Sequence, residues 1–168
     1  MPGPQSEPVS PARDALAAAL ERGGTADRVD RDELRATLCG VADALELSAA
    51  RGSGAGLRVP AEDAFADAAV RGRAAVLRPG RPILLPRVRP TVRLIYLSHP
   101  VDAGHDRTPV VAMFLILAPT AAQHDSLLAE LIDSLEDLAF LDLLAGCAPA
   151  ERLLSALRRS DPAALNAV

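Results

Sequence analysis

The feature that most constrains this chain is the run Val110-Val111-Ala112-Met113-Phe114-Leu115-Ile116-Leu117, eight apolar residues with no polar member. A strand sends alternate side chains to opposite faces, so a run apolar at every position needs cover on both sides. It is far too short to cross a bilayer. The run therefore predicts the central strand of a sheet sandwiched between other layers. Pro119-Thr120 ends it and opens a helix. Thr120 and Gln123 form a capping box, and Leu127, Leu128, Leu131, Ile132, Leu135 and Leu138 supply the buried face of the longest helix in the chain.

The flanking sequence fills in the other elements. Met1 to Ala12 holds four prolines and almost nothing apolar, and reads as a disordered lead to a single domain over residues 13–168. A helix is expected from Arg13 to Glu21, stopped by Gly23-Gly24. Asp30 and Glu33 cap a second, with Leu34, Leu38, Val41 and Leu45 on one face. Gly52 to Gly56 reads as a loop; as a phosphate cradle it lacks the lysine and the preceding strand. Pro60 starts a third helix with Glu62 and Asp63 at its positive end, a body of Ala64, Phe65, Ala68 and Ala69, and a stop at Gly72. Short β runs follow at Ala74 to Leu77, Ile83 to Leu85 and Val92 to Leu97. After a break near Gly146, Pro149 starts a last helix with Leu153, Leu154 and Leu157 inward. The order of elements gives an α/β fold, a mixed β-sheet flanked by helices on both faces.

Charge and composition exclude several functions. The net charge is −4, which argues against a grip on nucleic-acid phosphates. All 18 basic residues are arginine. The amino terminus has no secretory pattern, and Cys39 and Cys147, within expected helical segments, read as buried thiols of a reducing cytoplasm. No cofactor motif is present, and no serine sits in a nucleophile elbow.

The chemistry-bearing candidates are few. His124 falls four residues after the Thr120 cap, where unpaired amides and the helix dipole favour an anion. By position alone, a polar surface histidine is the simpler reading. His99 and His105 bracket Pro100-Val101-Asp102 in an expected loop. Their spacing matches no strong metal pattern.

The second half resembles a known family. Val92 to Leu97, Pro100-Val101-Asp102, Asp106, Pro109-Val110, and Phe114-Leu115-Ile116-Leu117-Ala118-Pro119 leading to His124 and Leu127-Leu128 are similar to type-2 EIIA domains of the bacterial phosphoenolpyruvate-dependent phosphotransferase system. That branch includes the fructose, mannitol and nitrogen-regulatory proteins. The likeness covers residues 80–160, and residues 13–79 in element order only; Asp125 stands where the family's His-Leu pair has Leu. The resemblance makes His124 the family's supporting histidine. The family's phosphoacceptor histidine follows a Gly-rich loop in an Ile-Pro-His motif. Gly52 to Val59-Pro60-Ala61 offers a match by motif, but the shorter interval the family keeps between its two histidines selects Arg78. The loop then becomes Ala68 to Arg73, the family's active-site arginine falls near Glu62, and its Asp-Gly becomes Asp106-Arg107.

Under either alignment the acceptor is missing, since no histidine lies between Met1 and Leu97. Arginine, charged at all accessible pH, is no substitute nucleophile. The resemblance thus implies a degenerate EIIA-like pseudoenzyme in a bacterial cytoplasm. It would need no cofactor or metal and would bind a phosphocarrier, transporter or kinase around Arg78, His124 and Asp106. The alternative is an active phosphocarrier using His124, His99 or His105.

Overall fold

The computed structural model of the chain describes residues 11–30, 33, 68–77, 84–86 and 88–159. Among these residues five strands form one mixed sheet: β1 (Thr25–Val29), β2 (Ala69–Arg71), β3 (Ala74–Val76), β4 (Thr91–Ala103) and β5 (Thr108–Leu117), in the order β1-β4-β5-β3-β2. β4 and β5 make an antiparallel hairpin, β1 joins β4 and β3 joins β5 in parallel, and β2 closes the sheet antiparallel to β3.

The all-apolar run is indeed central. From Val110 to Leu117 every residue of β5 is buried. Ala112, Phe114 and Ile116 join Val92, Leu94 and Tyr96 of β4 on one face, while Met113, Leu115 and Leu117 join Ile95 and Leu97 on the other. Among the described residues four helices pack on the first face: α1 (Pro11–Gly23), α2 (Ala121–Ser134), α3 (Leu138–Ala145) and α4 (Ala150–Arg159). Arg13 of α1 reaches Glu130 of α2 at 3.1 Å across that layer. The helices expected over 30–45 and 60–67 lie outside the described residues, apart from Asp30 and Glu33.

Several expectations change. α1 begins at Pro11, two residues before the expected start, consistent with the fixed φ of proline in a first helical turn. Ala69 to Arg71, expected to continue a helix towards Gly72, is a strand; Gly72, at φ 54°, turns the chain back into β3 instead. β1 follows Gly24 with no expected counterpart. Of the strand expected over Ile83 to Leu85, the described residues show an isolated parallel bridge from Leu84 to Ala118. The long helix is two: α2 ends with its cap at Leu135, and Asp137 starts α3 by accepting a hydrogen bond from the Ala139 amide at 2.9 Å. Leu138, counted inward on one continuous helix, is therefore 76% exposed. Cys147 lies beyond α3 at φ 50° and is exposed rather than buried, and Cys39 lies outside the described residues.

Candidate functional site

The end of the sheet where β5 finishes carries the first candidate. After Leu117 the Ala118 carbonyl accepts the Leu85 amide at 2.9 Å, and Pro119 turns the chain off the sheet. Thr120 stays extended (φ −138°, ψ 156°), and its hydroxyl accepts the Gln123 amide at 3.3 Å. The His124 amide makes the first helical bond, to the Thr120 carbonyl at 3.0 Å. A side-chain cap is favoured here because the first turn leaves its amides without intrahelical acceptors.

His124 is not a surface histidine. It is 7% exposed and continues the buried stripe of Leu127, Leu131 and Leu135 on α2. Spacings of three, four and four residues set all four on one face. Its Nδ1 lies 3.3 Å from Oδ1 of the exposed Asp125 carboxylate. The imidazole is thus held at the start of a helix, in the turn that faces anions, with one nitrogen beside a carboxylate.

Of the other sequence candidates, those among the described residues lie away from His124. Arg78 lies outside the described residues. Leu77, directly before it, donates its amide to the Phe114 carbonyl at 2.9 Å, so β3 runs parallel to β5 towards the end that carries Ala118. Asp106 sits in the β4–β5 turn over residues 104–107, at the opposite end of the hairpin. Nine residue steps of β5 separate the two ends, about 30 Å at ~3.3 Å per residue. Asp106 and His124 therefore do not share a site.

His99 and Asp102 are on β4 and not in a loop; only His105 is in the turn. The pairing of β4 with β5 shifts register between Tyr96 and Val101, and Pro100, which has no amide to donate, falls in that irregular stretch. There the Ser98 hydroxyl donates to the Asp30 carboxylate and lies 3.2 Å from His99 Nδ1. His99 and Asp30 are themselves 3.7 Å apart and both largely exposed. Among the described residues no three histidine, cysteine or acidic side chains are grouped to hold a metal.

Sequence reasoning missed a set of arginines at the His124 end. Arg22, on the last turn of α1, donates through Nε to the Pro90 carbonyl at 2.9 Å and also through Nη2. Arg93 donates through Nη1 to the Gly23 carbonyl, and its buried Nε has no partner. Arg89, exposed, stands between them in sequence just before β4. A local signal existed: residues 68–101 contain seven arginines and no acidic residue.

The described residues thus form an α/β layer structure: a mixed sheet with an antiparallel central hairpin, and a histidine in the first turn of the helix after the central strand. Among solved structures the chain is similar to the nitrogen regulatory protein IIA-Ntr from Neisseria meningitidis. The match has a TM-score of 0.61 at 19% identity, over 88% of this chain and 99% of that one. No family model and no curated protein matches the sequence. The fold is thus that of IIA-Ntr. No helix of the described residues is long and apolar enough to cross a membrane.

Proposed function

We propose that the chain is a cytoplasmic, non-phosphorylatable EIIA-like regulatory module. It works by binding a protein partner, a phosphocarrier, transporter or kinase, at the end of the sheet that carries His124. The carrying observation is an asymmetry. The supporting position keeps a histidine, buried in the first turn of α2, while no histidine occupies any position before His99. A phosphocarrier needs an imidazole nitrogen that attacks a phosphohistidine and later acts as leaving group. An arginine at position 78 supplies neither step, but its planar fork suits binding a phosphoryl or carboxylate group.

The test is incubation with phosphoenolpyruvate and the general phosphotransferase proteins, followed by intact-mass measurement. The expected mass is unchanged. A gain of one phosphoryl group overturns the reading in favour of a carrier using His124, His99 or His105. Substituting each histidine by Asn in turn would then identify the acceptor.

A further inference from the structure

From the arginine set we infer that the partner presents an acidic protein surface, docked on the rim formed by Arg22, Arg89 and Arg93; the inference rests on the partner-binding reading above. The rim lies at the His124 end, because β4 starts at Thr91 opposite Leu117, the last residue of β5. Two of its guanidinium groups are pre-oriented by backbone carbonyls, at Pro90 and Gly23, which lowers the side-chain entropy lost on binding. None of the three is ion-paired among the described residues. Glu21, the acidic residue next to Arg22, faces Arg158 at 3.6 Å. Asp125 is the carboxylate beside His124. Among the described residues the three arginines therefore give the rim an excess of positive charge, on a chain whose net charge is −4. A local field opposite in sign to the whole selects partners by charge complementarity.

The probe is a fluorescein-labelled octaglutamate peptide, with octalysine as its counterpart, read by anisotropy on the full chain. Octaglutamate is expected to bind at about 0.02 M salt and to be released at about 0.5 M, where screening shortens the field to a few ångströms. Arg89→Glu, at an exposed site, should weaken binding about tenfold or more by turning attraction into repulsion. Arg107→Glu, at the far end of the hairpin, should change it less than about twofold. Circular dichroism confirms that both variants are folded. Absence of octaglutamate binding, equal weakening by Arg107→Glu, or binding of octalysine overturns the inference. Phosphoryl uptake is measured separately, so failure of the regulatory reading and failure of the acidic-partner inference remain distinct.

Discussion

Gly23 lies so close to β4 that a β-carbon built on it would come within 1.9 Å of the Val92 carbonyl oxygen. The last turn of α1 thus rests on strand backbone, and the neighbouring Gly24, at φ 67°, turns the chain so that its carbonyl accepts the Leu94 amide at 3.1 Å. The pair fixes how α1 enters β1, and with it the Arg22 and Arg93 contacts. Gly23→Ala must push helix and strand apart, because the clash is with backbone and no side chain can swing away. The expected loss is about 3 kcal/mol or more, at the upper end for overpacking. Urea unfolding followed by circular dichroism measures it; a loss below about 1 kcal/mol would mean that the helix seats otherwise.

Thr120 governs where His124 begins its helix. Thr120→Ala removes the acceptor of the Gln123 amide and should cost about 1 kcal/mol, whereas Thr120→Ser should retain most of the stability. The His124 imidazole resonances should shift in Thr120→Ala, because the turn that seats the ring loses its cap. Unchanged resonances together with unchanged stability would show that the cap does not position the histidine.

Tyr96 is 2% exposed, and its hydroxyl donates to the Ala148 carbonyl at 2.8 Å, tying β4 to the turn before α4. Burial pushes its phenol well above the ordinary value of 10.0, and the negative charges of Cys147 and Asp27 add to the effect. A raised folded-state value means that the unfolded chain releases this proton first. The stabilisation is therefore fully present below about pH 10 and declines as pH rises above it, by up to about 1.4 kcal/mol per pH unit. The chain has one tyrosine and no lysine, so no other phenol or amine side chain contributes to the slope above about pH 10. Tyr96→Phe should cost about 1–2 kcal/mol at neutral pH, leaving the Ala148 carbonyl unpaired. It should also flatten the alkaline limb of stability against pH, and an identical limb in the variant would refute the assignment.

What the sequence made legible follows the strength of local signals. The eight-residue apolar run, the Thr120 cap and the Leu153/Leu154/Leu157 stripe each specify an element without outside help, and each appears where expected. β1 and β2 were not legible, because Thr25–Val29 carries two charged residues and Ala69–Arg71 has only three residues. Such segments are strands because neighbours pair with them, which is a tertiary effect. Position 78 stands out only through resemblance; of the arginine rim, the acid-free stretch over 68–101 marks Arg89 and Arg93, but nothing local joins them to Arg22 of α1, far away in sequence. The resemblance groups Asp106 with His124, but motif order along the chain says nothing of the distance a hairpin puts between its two ends.

Phe114 and Leu138 offer the sharpest contrast between apolar residues. Both fall in apolar patterns, yet Phe114 is 0% exposed, and Leu138 is 76% exposed because the helix breaks at Leu135. Phe114→Ala removes a ring from the helix-facing core and should cost about 3–5 kcal/mol. Leu138→Ser should change stability by less than about 0.5 kcal/mol, as surface substitutions do. Had α2 continued unbroken, Leu138 would lie in the stripe with Leu131 and Leu135, and its replacement would cost about 2 kcal/mol or more. Urea midpoints of the two variants therefore decide between two helices and one, and comparable losses in both would contradict the break.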